Sequence, residues 1–296
     1  MTIWNLGSIN ADHFYHVPHI PAPGETLACS SLRTGLGGKG ANMSVAAARA
    51  GAHVAHIGAV GPEGGWARDR LMEYGVDTRH IAQVAQPTGH AIIAVADGDG
   101  ENTILLFGGA NHAIDEAMVG AALSSASTGD TFLFQNETSA QGYAAETAAK
   151  LGLRVAYAAA PFDAAAARAA LPFLDFLILN EIEAEQLGAA VGKPVSEMGV
   201  TDVIVTLGGA GCDWYHRGEK QSFSAVPVTP VDTTGAGDTF TGYVLAGLDR
   251  GMSMAQGISL AMRAAALKVT RAGTADVIPD LAEVEAFASA PDKGRG

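Results

Sequence analysis

The run VDTTGAGDTF, residues 231–240, places two glycines and an aspartate between an apolar strand-like stretch and the apolar run GYVLAGL. Gly235 and Gly237 permit backbone conformations that other residues avoid. A helix is predicted to begin between positions 235 and 238. Its first N–H groups have no intrahelical partner, and its dipole adds partial positive charge. Such a turn suits a developing negative charge. Asp238 falls in the first turn, where a carboxylate could take a proton from a hydroxyl. Read alone, Asp238 is more simply an acidic complement to the dipole than a base.

Three further clusters could carry chemistry. TGLGGKGAN, residues 34–42, contains Gly35, Gly37 and Gly40 in a GxGxxG pattern. A dinucleotide site would need a buried strand before it and an acidic residue about 20 positions later. The preceding ETLACSSLRT is polar, and the later segment reads HIGAVG. Lys39 is followed by Gly40, so the phosphate-loop pattern GxxxxGK[ST] also fails. What remains is a Gly-Gly turn that lets backbone approach a small polar ligand, with Lys39 and Asn42 as donors, or a plain helix-initiating turn. In SINADH, residues 8–13, Asn10 and Asp12 alternate on a strand and share a face. The pair suits vicinal hydroxyls, or an Asx-type turn. In LNEIEAEQL, Asn180 and Glu183 have the spacing of a capping box. Glu183 could also hold a water on Mg²⁺. His13, His16 and His19 recur every three residues, but Pro18, Pro21 and Pro23 argue against a helix, and they read as surface residues.

These clusters need a frame. Short apolar runs at 53–60, 130–136, 154–160, 176–180 and 202–209 alternate with Ala-rich helical segments at 41–52, 113–126, 143–152 and 255–270. That alternation predicts an α/β fold, a doubly wound, mostly parallel sheet flanked by helices. Ligands in such sheets sit beyond the carboxyl ends of the strands. Residues 12–34 and 88–107 break the pattern and read as a small discontinuous β-strand lid on a single domain spanning 1–296. The second segment is two β-rich runs around Asp-Gly-Asp-Gly, a hairpin signal.

Composition narrows the function. The 296 residues carry a formal net charge of −13 with 48% apolar and 17% charged content. That describes a globular chain and argues against nucleic acid as a partner, which requires clustered Lys and Arg. The two cysteines, Cys29 and Cys212, form no disulfide framework. No secretory leader or apolar run of about 18 residues is visible, so a cytoplasmic protein without a membrane partner is expected.

Taken in order, SINAD, PGET, GGKGAN, NEIEAE, TLGGAG and DTTGAGDTF resemble the ribokinase-like (PfkB) family of sugar kinases over residues 3–287. The resemblance implies an ATP-dependent phosphotransferase acting on the primary hydroxyl of a small sugar. D-ribose is the leading acceptor; another pentose, a ketohexose or a nucleoside is the alternative. A non-catalytic sugar- or nucleotide-binding protein on the same fold is a further reading. By this likeness Asp238 is the catalytic base, and the N–H groups of Gly235, Ala236 and Gly237 form the anion hole. Asn10, Asp12, Gly38, Lys39, Asn42 and Glu137 contact the sugar. Asn180, Thr206, Gly208 and Gly211 lie on the nucleotide side, and Glu183 holds Mg²⁺ through water. The helix near 262–267 flanks adenine, while Ala91, Ile93 and Leu106 cover the sugar. Asp232 and Thr234, with the carbonyls of Lys268, Arg271 and Gly273, match a monovalent-cation (K⁺) site. A homodimer paired through the β lid is also implied. Two departures stand out. Val277 replaces a hydroxyl residue expected at the cation site, and His90 replaces an apolar lid residue, which bears on sugar specificity.

Overall fold

The computed structural model describes residues 1–98 and 101–289. Strands β1 (Thr2–Leu6), β4 (His53–Val60), β5 (Asp77–Gln83), β8 (Thr131–Phe134), β9 (Arg154–Ala158), β10 (Phe176–Asn180), β11 (Asp202–Thr206), β12 (Gly211–His216) and β13 (Glu219–Ser224) form one sheet. Its nine strands run in the order β13-β12-β11-β10-β9-β8-β1-β4-β5. Pairing is parallel from β5 through β11, and β12 and β13 add an antiparallel edge. The sheet is mostly parallel, as the alternation predicts. The polar sequence EKQSFS gives no strand signal, so the β12–β13 edge is legible only in the fold. Its charges suit an exposed edge.

Helices cover both faces. Residues of α1 (Lys39–Arg49), α2 (Gly65–Glu73), α7 (Ala236–Asp249), α8 (Met254–Val269) and α9 (Leu281–Ser289) contribute to one buried apolar cluster. Residues of α3 (Glu116–Leu123), α4 (Gln141–Lys150), α5 (Ala164–Ala170) and α6 (Glu181–Val191) contribute to a second. The abundant alanines let these helices lie close to the sheet. Among the described residues, no helix is long and apolar enough to cross a membrane.

Strands β2 (Asn10–Val17), β3 (Ser31–Gly37), β6 (Gly89–Ala96) and β7 (Asn102–Phe107) form a separate four-stranded sheet in the order β3-β2-β6-β7. The expected lid segments are present, with one difference. Residues 18–30 are irregular rather than extended, because Pro18, Pro21 and Pro23 remove ladder donors. The hairpin between β6 and β7 forms as expected, although Asp99 and Gly100 of its turn lie outside the described residues. His13, His16 and His19 each meet a polar neighbour: Thr34 at 3.0 Å, Asp97 at 3.3 Å and Glu25 at 2.9 Å.

The chain direction across the large sheet reverses between β1 and β8. From there β4 and β5 extend one way and β9 to β11 the other. Such a switch point opens a crevice at the carboxyl ends of the strands. The segment leaving β1 carries Ser8 and Asn10, and the segment leaving β8 carries Glu137.

Candidate active site

The switch point is closed by hydrogen bonds between distant segments. The Ser8 hydroxyl donates to the Glu137 carboxylate, and the Lys39 N–H donates to the same oxygen at 3.1 Å. Glu137 therefore sits at the positive end of α1, where a carboxylate is favoured. Below it lies a buried polar network. Asn5 donates to the Gly40 carbonyl and to Ser44 Oγ, both at 2.8 Å, and accepts from Gln135 at 2.9 Å. His56 bridges Ser44 at 2.8 Å and the Gly7 carbonyl at 3.0 Å. Burial pushes the His56 pKa down to about 4, so the imidazole is neutral and rigidly placed. This network holds the start of α1 against the end of β1.

The Gly-Gly turn has a different purpose from the one its sequence suggests. A Cβ on Gly40 would lie 2.2 Å from Gly7 Cα, and one on Gly37 would lie 1.9 Å from an Asp12 carboxylate oxygen. These glycines admit the chain's own backbone and the Asp12 side chain. The GxGxxG pattern follows β3 of the small sheet rather than opening a βαβ unit, which removes the dinucleotide reading.

Asp238 lies in the first turn of α7 and is buried. Asn42 Nδ2 donates to its Oδ2 at 2.8 Å, while Asn42 Oδ1 is buried without a hydrogen-bond partner. An orphaned acceptor beside a carboxylate is a costly arrangement that a ligand hydroxyl would satisfy. One cavity of about 240 Å³ is lined by Lys39, Asn180, Glu183, Thr206, Gly235, Gly237 and Asp238, among others. The negative charge of Asp238, with those of Glu137 and Glu183, pushes the Lys39 pKa up against burial. Burial pushes the Glu137 and Glu183 carboxyls up. Asp12 rises furthest, to about 7, through burial and then the charge of Glu137.

The turn expected to serve as an anion hole opens α7, with one difference in where its N–H groups point. Gly235 adopts φ 73° at the helix N-cap, but the Ala236 N–H donates back to the Thr233 carbonyl at 3.2 Å. Gly235 and Gly237 line the central cavity, while Ala236 faces a neighbouring groove. A Cβ on Gly237 would meet nothing within 4 Å. Packing does not require that glycine, so its space is left for a ligand.

The neighbouring groove, of about 310 Å³, is lined by Gly208, Gly209, Val226, Val228, Met262 and Ala266, among others. Added Cβ atoms on Gly208 and Gly209 also meet nothing within 4 Å. Its apolar walls suit a flat heteroaromatic ring. Met262, Ala265 and Ala266 of α8 form one wall of the groove. Gly211 is buried at the start of β12, where a Cβ would lie 1.9 Å from the Phe223 carbonyl; the hairpin itself requires that glycine. Asn180 and Glu183 form a reciprocal capping box with both bonds at 2.8 Å. Thr206 donates to the Leu179 carbonyl at 3.3 Å.

On the other side, Asn10, Asn111, His112, Glu137 and Leu106 line a cavity of about 230 Å³. Asn111 escaped the sequence reading. Its Nδ2 donates to Asn10 Oδ1 at 2.8 Å and its Oδ1 accepts from Ile9 N–H at 2.9 Å. The pair is 101 residues apart, and GGANHA carries no local signal of it. Register pairs Asn10 with Gly89, Asp12 with Ala91 and Phe14 with Ile93, so these share one lid face. Leu106 pairs with Ala91 on that face. His90 lies on the opposite face against Phe107, ring centroids 5.0 Å apart, and does not line that cavity.

A family model for pfkB family carbohydrate kinases matches residues 3–281. The chain belongs to that family. It is a sugar kinase, a phosphotransferase with an alcohol acceptor. The ribokinase of Haemophilus influenzae is 37% identical over 301 residues, covering 97% of this chain and 98% of the relative. The crystal structure of Thermotoga maritima ribokinase superposes with a TM-score of 0.88 at 31% identity, covering 98% of this chain and all of that one. Arabidopsis thaliana ribokinase complexed with ribose and ATP superposes at 0.84 with 28% identity, covering 98% of this chain and 99% of that one. The ribokinase-like fold expected from the sequence is the fold observed.

Proposed function

We propose that this sugar kinase transfers the γ-phosphoryl of ATP to the primary hydroxyl of D-ribose, giving ribose 5-phosphate and ADP. The observation that carries the mechanism is Asp238, held by Asn42 in a cavity shared with Lys39, Gly235 and Gly237. Asn10, Asp12 and Glu137 bind the sugar hydroxyls, with the orphaned Asn42 Oδ1 as a further acceptor. Gly38 and Lys39 complete that side. Asp238 takes the hydroxyl proton as the sugar oxygen bonds to the γ-phosphorus; the bond from that phosphorus to the bridging oxygen breaks, and ADP leaves with its electrons. The turn at Gly235–Gly237 and the Lys39 ammonium receive the charge that spreads over the phosphoryl oxygens, the dominant contribution in phosphoryl transfer.

The nucleotide base fits the apolar groove beside Gly208, and Asn180 and Thr206 lie between groove and centre. The carboxyls of Glu137, Glu183 and Asp238 gather around Lys39, and the raised pKa of Glu183 reflects poor solvation of its charge. That donor set fits Mg²⁺. Held through water by Glu183, the ion would neutralise phosphate charge. The small sheet acts as a lid whose closure excludes water from the sugar. Two free cysteines and the acidic composition of the chain suit a cytoplasmic enzyme.

ADP release from MgATP, followed with D-ribose, a second pentose, a ketohexose and a nucleoside, tests this reading. D-ribose is expected to give the highest kcat/KM by about tenfold or more. No turnover with D-ribose, or a better acceptor in the panel, overturns the assignment.

We also propose a homodimer through the lid. Its outer face exposes Leu32, Ile92, Leu105 and Phe107, an apolar patch on a sheet that needs cover. Light scattering at micromolar concentration should give twice the chain mass, and Leu105→Glu should halve it. A wild-type monomer rejects the proposal.

A further inference from the structure

Among the described residues, phosphoryl transfer as described leaves one fully buried cation without a task. Lys268 lies in the last turn of α8 and its side chain has no solvent exposure. Nζ donates to the backbone carbonyl of Asp232 at 3.1 Å. Asp232 stands three residues before Gly235, at the root of the anion-hole turn. Its carboxylate accepts from the N–H groups of Thr234 and Gly273, each at 2.9 Å. The N–H groups of Val231 and Asp232 donate to the Val269 carbonyl at 2.7 and 3.1 Å. Asp232 therefore ties three segments together: the turn that carries Gly235, the end of α8, and the loop at Gly273.

This knot is where the family resemblance places a monovalent cation, and the residues present do not fit one. The Asp232 carboxylate is already engaged by the N–H groups of Thr234 and Gly273 and by the Thr234 side chain. The Lys268 carbonyl accepts from the Arg271 N–H at 3.0 Å. Position 277 offers the methyls of Val277 instead of a hydroxyl. A cation is nevertheless present in the form of the Lys268 ammonium. The nearby carboxylates of Asp232 and Asp238 favour a positive charge at this place. The negative end of α8 adds to that preference.

We propose that the Lys268 ammonium is the resident monovalent cation of this knot, replacing a bound alkali ion and making the enzyme indifferent to potassium. An ammonium group and a potassium ion carry the same charge and are close in size. The covalent version needs no ion concentration to stay bound, because the helix delivers it. Lys268 is a positioning residue. It acts on chemistry only through Asp232, by fixing the turn whose Gly235 and Gly237 line the central cavity. The inference rests on the anion-hole reading above.

The test compares wild type, Lys268→Ala and Lys268→Met in potassium chloride and choline chloride at equal ionic strength. Two quantities are read: ADP release from MgATP with D-ribose, and Tm without substrates. Wild type should turn over equally in both salts, within about twofold, and show one Tm. Lys268→Ala should lose about tenfold or more in choline, because the turn loses the charge that orders it, and should recover severalfold in potassium. Its Tm should rise in potassium by more than wild type's. Lys268→Met, which fills the space without the charge, should lose activity in both salts and recover in neither. Severalfold activation of wild type by potassium overturns the proposal, as does a Lys268→Ala enzyme equal to wild type in choline. If no sugar gives turnover, the assigned reaction fails, yet the Tm comparison still decides: potassium must stabilise Lys268→Ala and leave wild type unchanged. If Lys268→Ala cannot be recovered folded from either salt, the response of wild type to potassium decides alone.

Discussion

Asp238→Asn is expected to lower kcat by about 10²–10⁴-fold while the protein remains folded and still binds both substrates. The substitution keeps the shape of the side chain. Its amide oxygen can still accept from Asn42 Nδ2, now 2.8 Å from Asp238 Oδ2. What disappears is the ability to take a proton from the attacking hydroxyl. That loss is felt only as the new oxygen–phosphorus bond forms, so kcat and kcat/KM should fall by similar factors. Stability should change little. A charge favoured by the α7 dipole is lost, but so is its repulsion with Asp12 and Glu137. Steady-state kinetics with D-ribose and MgATP, alongside thermal melts, would check this. A kcat within about threefold of wild type would remove Asp238 from the role of base.

Asp12→Asn should have the opposite balance, a gain in stability and a loss of sugar binding. Asp12 is buried with a folded-state pKa raised from 3.8 to about 7. The folded protein thus holds this proton more tightly than the unfolded chain does. The stability Asp12 contributes is complete below about pH 4 and is lost as pH rises towards 7. Above that range the folded state carries a charge that burial and Glu137 both disfavour. A shift of this size corresponds to about 2–4 kcal/mol, shared with the carboxyls that repel Asp12. Asp12→Asn removes that penalty, so its Tm gain over wild type should be larger at pH 8 than at pH 5. The same change removes a charged acceptor for sugar hydroxyls, worth about 1.5–3 kcal/mol, or about 10–100-fold in sugar KM at pH 8. In the wild type, sugar KM should itself rise as pH falls below about 7, because Asp12 then becomes protonated. Equal Tm gains at the two pH values would show that Asp12 carries no buried charge. A larger gain at pH 8 together with weaker sugar binding would mark Asp12 as a carboxylate kept for binding at a cost in stability.

The reach of the sequence follows the range of the interactions involved. The start of α7 at the Gly-rich turn, the capping box of Asn180 and Glu183, and the parallel strands were legible because each depends on neighbours a few residues away. Asn10 and Asp12 were legible as a pair because strand alternation alone puts them on one face. The ordered series of motifs carried the family. The hydrogen bond from Asn42 to Asp238 spans 196 residues, and the one from Asn111 to Asn10 spans 101. No local propensity encodes either. His90 was misread because its face depends on strand register, which shifts every side chain when displaced by one position. The glycines of GGKG looked like room for a ligand. The fold shows Gly37 and Gly40 in contact with Asp12 and Gly7, since a missing Cβ has meaning only relative to what lies opposite. Lys268 shows the division most clearly. From sequence it is a basic residue ending a helix, of interest only for its carbonyl. Packing α8 against the turn at Asp232 buries its ammonium beside that turn's backbone, a contact no local pattern announces.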